Sequence, residues 1–275
     1  MSIEVHSADT VSQVGAVLTG SAKYFAGGTL LMRQVNYGDQ SIDRLVVSDD
    51  PVLKQIQSQG EQITIGAGVT MSEIIRHPDL RFLSEVARSV GGPAVRNMAT
   101  IGGNLFAPRP YGDMATALLA LNANINWDDG QQQPIEQLLE QQAGNSTPSG
   151  SGKVVTSVSL QIPARGAFKY LKVSRVKPKG VSLITLAANL HRENGRIGEA
   201  SISLAEWHQC HEEPDLQSRP YTAHHWMKRV LNDACLSVLK AWSLQMTPWP
   251  VPGIDARWPP FISSDCCWNG ANTNG

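Results

Sequence analysis

Hydrophobic positions in the first third of the chain alternate between helical and extended spacing. Residues 10–18 carry apolar side chains three and four positions apart, which predicts a short helix capped by Asp9 or Ser7. The β-branched runs at residues 45–47 and 63–65 predict strands, and residues 23–25 predict another. Residues 70–75 predict a second helix, because Thr70 precedes Glu73 by three positions, a capping-box pattern.

The same pattern continues beyond residue 80. Apolar runs predict helices over residues 83–90 and 113–121. Strands are expected at residues 123–127, 154–162, 169–173 and 183–191. A Gln-rich stretch at residues 131–142 and a Gly/Ser-rich stretch at residues 144–152 indicate a mobile connection. The elements are short and mixed, as in an α+β protein.

Composition narrows the function classes. The chain has 275 residues, a length that is enough for two or three modest domains. Its net charge of −1 lacks the basic excess that is typical of nucleic-acid or anionic-membrane binding. The apolar run at residues 115–121 is too short to span a membrane. The first ten residues lack a signal-peptide core, so we expect a cytoplasmic protein.

Two glycine pairs are the strongest chemical signal. Residues 26–29 read Ala-Gly-Gly-Thr, and residues 96–104 read Arg-Asn-Met-Ala-Thr-Ile-Gly-Gly-Asn, with Asp113 nine positions further on. Backbone without side chains lets a ligand approach closely, and its N–H groups can point at an anion. Two such loops on either side of a cleft would grip a diphosphate. Neither has the Gly-x-Gly-x-x-Gly spacing of a Rossmann site.

These motifs, in this order, resemble the FAD-binding medium subunit of the molybdenum hydroxylases, the family of xanthine dehydrogenase and carbon monoxide dehydrogenase. The resemblance runs from about residue 11 to about residue 190 and includes Ile-Gly-Ala-Gly-Val-Thr at residues 65–70. It implies an α+β fold of the PCMH-like type, in which two domains clamp FAD and a third α/β domain follows, here disrupted. The implied divisions are residues 1–50 and 51–165 for the two FAD-binding subdomains, residues 166–204 for the start of the third domain and residues 205–275 for a poorly ordered tail.

The resemblance also implies a set of cofactor-binding residues. The first motif and the second would hold the diphosphate, Asp113 the ribose or adenosine side, and Lys172 would place a cation near the flavin ring, close to Val155. Asp113 taken alone is more often a helix N-cap, and both roles are compatible. No residue is expected to act in acid–base catalysis or to bind a metal. The expected contacts are Ala26, Gly27, Gly28, Thr29, Thr100, Ile101, Gly102, Gly103, Asn104, Asp113, Val155 and Lys172.

By the same resemblance, the chain is an oxidoreductase subunit that is active only in a complex. FAD would take electrons from an iron–sulfur small subunit, which a molybdopterin large subunit supplies, and pass them to NAD or another acceptor. The chain has no four-cysteine pattern for an iron–sulfur cluster of its own. Two alternatives stay open: a remnant that binds flavin weakly or is inactive, and a stand-alone flavin oxidase.

Two positions depart from the family pattern. Leu30 and Leu31 follow the first motif, where the family often has an acidic or polar residue, and this change should affect local packing more than flavin affinity. Tyr111 stands where the family often has small residues, so its ring is expected to cover the flavin and to alter the access of an electron acceptor.

The tail differs sharply in composition. All four cysteines and six of the seven tryptophans lie after residue 205. Read one base earlier from the codon of Glu206, the message allows Gly-Met-Ala-Pro-Met-Pro-Arg-Arg-Ala, which the family has at this point; the first Ala is forced by the single codon of Trp207. Our hypothesis is a one-base shift of the reading frame near Leu204.

A metal site is the rival interpretation of the tail. Zinc sites show paired ligands at short fixed separations, and none of the spacings here matches. We therefore expect no metal. The ligand-type residues are His208, Cys210, His211, His224, His225 and Cys235.

Overall fold

The computed structural model describes residues 3–108, 111–143, 152–174, 180, 182–193, 196–206 and 227–230. These residues belong to one compact unit, Met1–Leu231. Within them, no helix is long and apolar enough to cross a membrane. The predicted tail, apart from residues 205–206 and 227–230, lies outside the described residues, as does most of the Gly/Ser-rich stretch.

A parallel sheet forms the N-terminal layer. Its strands are β1 (Glu4–Ala8), β2 (Ala22–Tyr24) and β3 (Arg44–Ser48), in the order β1-β3-β2. Helices α1 (Val11–Val17) and α2 (Leu31–Asn36) lie between them in sequence. The N-cap of α1 is Thr10 rather than Asp9 or Ser7, because the Gln13 side chain reaches back to its N–H.

An antiparallel sheet of five strands follows, in the order β4-β5-β8-β6-β7. Its first hairpin pairs β4 with β5, and the glutamines of the edge strand β4 face solvent. Its strands are β4 (Ile56–Gln59), β5 (Gln62–Gly66), β6 (Asn124–Trp127), β7 (Gln132–Pro134) and β8 (Val155–Gln161).

Short helices pack against this sheet. The capping box at Thr70 and Glu73 forms as expected and begins α3. All eight residues of α7 are buried, since the helix is apolar around nearly its whole circumference. The helices are α3 (Met71–Arg76), α4 (Ser84–Ser89), α5 (Pro93–Met98), α6 (Ile101–Leu105), α7 (Asp113–Ala120) and α8 (Ile135–Ala143).

The Gln-rich stretch is ordered, so the expected mobile connection is wrong over residues 131–142. It forms β7 and α8. Ile135, Leu138 and Leu139 recur at helical spacing and are fully buried in the core, while Gln137 between them is exposed. Three apolar residues on one face therefore outweigh the polar composition of the segment.

The last described sheet is antiparallel, in the order β12-β11-β10-β9. Its strands are β9 (Phe168–Ser174), β10 (Ser182–Glu193), β11 (Arg196–Glu206) and β12 (Met227–Val230). Helix α7 packs on β10 and β11, and α4 packs on β9. The three sheets cover residues 4–48, 56–161 and 168–230, and the domain boundaries inferred from the sequence stay predictions.

Candidate functional site

The first glycine motif is the connection from β2 to α2. The N–H of Phe25 still pairs with Val46 O at 2.8 Å, which ends the strand contact. In the next four residues, 26–29, no backbone N–H has an acceptor among the described residues. Gly28 adopts φ +65°, a left-handed conformation that suits glycine. The motif thus presents a row of backbone donors without an acceptor among the described residues, and its contact with an anion stays a prediction.

The second motif is helical at its glycines rather than a loop. Thr100 is the N-cap of α6 and accepts a hydrogen bond from the N–H of Gly103 at 3.0 Å. The N–H of Gly102 donates to Ala67 O at 2.9 Å. Both N–H groups are therefore already used within the protein, which corrects the expectation that they donate to a phosphate. The contact of these residues with a cofactor stays a prediction.

Close packing explains the second glycine pair. A Cβ atom on Gly102 would lie 2.8 Å from Ala67 Cβ and 2.9 Å from Ala67 O. The helix can approach the preceding backbone so closely only because glycine has no side chain. Ile101, between Thr100 and Gly102, is fully buried in the core.

The fold brings the two glycine motifs together. A Cβ atom on Gly27 would lie 1.8 Å from Met98 O, so the backbone of the first motif rests against the residues just before Thr100. The Cβ of Ala26 lies 3.8 Å from the position that a Cβ on Gly103 would take. The predicted pairing of the motifs across one site thus has a geometric basis.

The first two residues of the longer motif have structural partners. The Arg96 guanidinium donates to the carbonyl oxygen of Arg88 in the last turn of α4 and to those of Val90 and Gly91, which follow the helix. Asn97 Oδ1 accepts from Ser72 Oγ at 2.6 Å. These contacts hold α5 against its neighbours, so Arg96 and Asn97 fix the position of the residues that lead into Thr100.

Asn104 and Asp113 join the second motif to α7. Asn104 Oδ1 accepts from the N–H of Met114 at 3.0 Å, which satisfies a donor in the first turn of α7. Asp113 is the first residue of that helix and Gly112 is the N-cap, so Asp113 does not cap it. Its carboxylate is free to face the neighbouring sheet.

The Asp113 carboxylate forms a buried ion pair with Lys172. Asp113 Oδ2 and Lys172 Nζ are 2.6 Å apart, and the two side chains are 7% and 14% exposed. Thr185 Oγ1 donates to Asp113 Oδ1 at 3.0 Å, and Lys172 Nζ also donates to Ser89 O at 3.2 Å. Burial raises the pKa of the Asp113 carboxyl, while Lys172 and the hydroxyls of Thr185 and Tyr170 oppose that rise.

The neutral members of this cluster were not predicted from the sequence, and they are Ser89, Tyr170, Ser182 and Thr185. Tyr170 and Lys172 lie two residues apart on β9 and therefore on one face. Thr185 lies opposite Lys172 in the register of β10 with β9. The period-two polar pattern of β9 was the available signal, but the register that adds Thr185 is a tertiary property.

Val155 and Tyr111 make no hydrogen bond to this cluster among the described residues. Val155 is buried in the core on β8, opposite Trp127. Tyr111 is 36% exposed, and its hydroxyl accepts from Arg33 Nη1 at 3.5 Å, a contact that joins it to α2. Whether either residue contacts a ring stays a prediction. Among the described residues, no group of three or more His, Cys, Asp or Glu could hold a metal ion, and the tail ligands lie outside them.

Residues 1–164 match the family described as the FAD binding domain in molybdopterin dehydrogenase. The chain belongs to this family. FAD is the cofactor of the matched domain, and both glycine motifs and Asp113 lie inside it. Lys172 and Thr185 lie just beyond its end, on the sheet that packs against α7.

Individual relatives agree with the family match. The chain is 37% identical over 107 residues to the nicotinate dehydrogenase FAD-subunit of Eubacterium barkeri, covering 36% of each. It is 30% identical over 130 residues to the carbon monoxide dehydrogenase medium chain of Hydrogenophaga pseudoflava, covering 44% of this chain and 45% of that one. The matched stretches thus span less than half of these relatives.

A solved structure supports the fold. Carbon monoxide dehydrogenase from Hydrogenophaga pseudoflava, in a form that lacks the Mo-pyranopterin moiety, superposes with a TM-score of 0.67 at 23% identity over 74% of both chains. The α+β fold expected from the resemblance is confirmed.

Proposed function

We propose that the chain is the FAD-binding electron-transfer subunit of a molybdenum hydroxylase. The observation that carries the proposal is the row of four unused N–H groups at residues 26–29, held against the second glycine motif. Asn104 of the second motif bonds to the first turn of α7, where Asp113 pairs with Lys172. Family membership supports FAD, and the activity and partners are our inference.

The residues present fit a flavin dinucleotide. Unpartnered backbone donors suit diphosphate oxygens, and the hydroxyls of Thr29 and Thr100 with the Asn104 amide would fix its register. Lys172 would supply a positive charge near the flavin, with Val155 packing nearby, and Asp113 would hold that charge in place. Bound flavin supplies electron transfer, while these residues bind and orient it.

The partners follow from the same proposal. An iron–sulfur small subunit and a molybdopterin large subunit would supply electrons, and NAD or another acceptor would remove them. The molybdenum subunit would select the substrate. We place the complex in the cytoplasm.

A spectrum tests the cofactor first. The purified chain should show the visible absorption of an oxidised flavin, and heat release should yield FAD in a 1:1 ratio. A folded but colourless protein that takes up no added FAD would contradict the proposal. Reduction of the flavin by a small substrate without partners would instead support a stand-alone oxidase.

A frame-shifted remnant is the second candidate, and the hidden family sequence behind Glu206 favours it. Resequencing the gene tests this candidate. A one-base change near the codon of Leu204 that restores a third domain would support it, and the absence of any such change would refute it.

A further inference from the structure

Strand register places Thr185 beside the buried ion pair. Thr185 and Lys172 are direct partners in the antiparallel pairing of β10 with β9. Tyr170 lies two residues before Lys172 and so shares its face of the sheet. Helices α4 and α7 pack against these strands and bring Ser89 and Asp113 to the same place.

The hydrogen bonds of this cluster have one consistent direction. A carboxylate paired with a lysine can only accept, so the single hydroxyl proton of Thr185 points to Asp113 Oδ1 at 3.0 Å. The bond of 2.6 Å between Ser182 and Thr185 must then have Ser182 as its donor. Ser182 therefore donates to Thr185, and Thr185 donates to the Asp113 carboxylate, which only accepts.

Two acceptors locate the Lys172 ammonium. It donates to Asp113 Oδ2 at 2.6 Å and to Ser89 O at 3.2 Å. An ammonium has three N–H donors, and the third has no acceptor among the described residues. Because the Lys172 side chain is 14% exposed, this third donor is the one available to a ligand.

Among the described residues, the titratable groups that act on the Asp113 carboxyl are Lys172 and Tyr170, both from β9. The Tyr170 hydroxyl is bonded to Ser89 Oγ at 3.0 Å, and burial keeps the pKa of the phenol above its ordinary value. Helix α4 and strand β10 add the neutral groups of Ser89, Ser182 and Thr185. Both Ser182 and Thr185 are more than nine-tenths buried.

We propose that Thr185 is a positioning residue: it fixes the Asp113 carboxylate against Lys172 and thereby aims the free N–H of the ammonium at the bound flavin cofactor. This inference rests on the proposed function. Thr185 itself need not touch the cofactor. Its hydroxyl keeps Asp113 ionised and oriented, and Ser182 in turn orients the hydroxyl.

The test uses the full chain with three variants. Thr185→Val removes the hydroxyl at nearly constant shape, Thr185→Ser retains it, and Thr64→Val makes the same change on β5, where Thr64 lines a polar cavity on the other sheet. The dissociation constant for FAD is measured by flavin fluorescence between pH 5 and 9. The Asp113 carboxyl is titrated in parallel by its ¹³C shift without FAD, with Asp113→Asn for assignment.

We expect Thr185→Val to weaken FAD binding roughly tenfold at pH 7. It should also move the acidic limb of the pH profile of FAD binding to a higher pH by about one unit. Both effects correspond to the loss of one hydrogen bond to a charged group. Thr185→Ser should restore both values, and Thr64→Val should leave them unchanged. Should Thr185→Val fail to fold, Ser182→Ala should give a smaller shift in the same direction.

The two proposals fail in different ways. A wild-type chain that binds no FAD refutes the proposed function. An Asp113 titration that neither Thr185→Val nor Ser182→Ala moves refutes the role of Thr185, whether or not FAD binds. A loss of affinity that is the same in Thr185→Val and Thr185→Ser also refutes it.

Discussion

Replacing Gly27 by alanine adds a methyl group at the contact between the two glycine motifs. The new Cβ would lie 1.8 Å from Met98 O, 2.7 Å from Met98 C and 3.3 Å from Ala99 Cα. All three atoms belong to backbone, so no side-chain rotation can relieve the overlap. The segments must separate, or the first motif must change conformation.

The size of the effect follows from the distances. Ordinary contact needs about 3.5 Å, so the Met98 carbonyl oxygen must move away by roughly 1.7 Å. Overpacking in rigid surroundings costs about 3 kcal/mol at the upper end of the usual range. For a folded unit of this size, that loss lowers Tm by roughly 6 to 12 °C.

The assay is urea and thermal unfolding of the full chain, followed by circular dichroism. Gly60→Ala is the control, because Gly60 has φ +62° and nothing within 4 Å of its Cβ position, so only backbone strain of about 1 kcal/mol is expected. Gly27→Ala should be clearly less stable than Gly60→Ala and should bind FAD more weakly. Wild-type stability in Gly27→Ala would refute the packing of one motif against the other.

Three further outcomes follow from buried groups. Asp113→Asn should cost about 3 kcal/mol in urea unfolding, because it leaves Lys172 buried without its partner, and a second change, Lys172→Met, should recover most of that loss; equal stability of the single variant and wild type would contradict the ion pair. Burial and the nearby acidic residues raise the pKa of Tyr24 from 10.0 to about 12, so its contribution to stability is complete below pH 10 and lost as pH rises through about 12. Tyr24→Phe should therefore flatten the fall of the urea midpoint over that interval, and an unchanged slope would oppose this account. Leu138→Ala should cost about 2 to 5 kcal/mol, whereas Gln137→Ala on the exposed face of α8 should cost almost nothing; equal effects would mean that α8 does not bury this face.

Several features of the fold were predictable because their causes are local. The capping box at Thr70 and Glu73 and the apolar run that becomes α7 each depend on neighbours within one or two turns. The strands of β-branched residues were likewise expected. The Gln-rich composition of residues 131–142 predicted a mobile connection, which is wrong because Ile135, Leu138 and Leu139 recur at helical spacing and form the buried face of α8.

The glycine motifs were predictable as a site but not in their detailed roles. Their order along the chain indicated a flavin domain, and the family match confirms it. Only the tertiary contacts show that residues 26–29 keep their N–H groups unused, while Gly102 and Gly103 donate to Ala67 and Thr100. Glycine leaves backbone donors open to a ligand in the first motif and permits close backbone packing in the second. The residue type is the same in both, so the sequence does not distinguish the two roles.

The sequence alone determined the family, the cofactor and most of the regular elements, because motifs and hydrophobic periodicity depend only on residues that are close together in the chain. Tertiary structure decided which charges meet. Asp113, Lys172 and Thr185 come from one helix and two strands, and strand register with helix packing places them within hydrogen-bonding distance. Register depends on the pairing of whole strands, and for that reason no local pattern predicted this cluster.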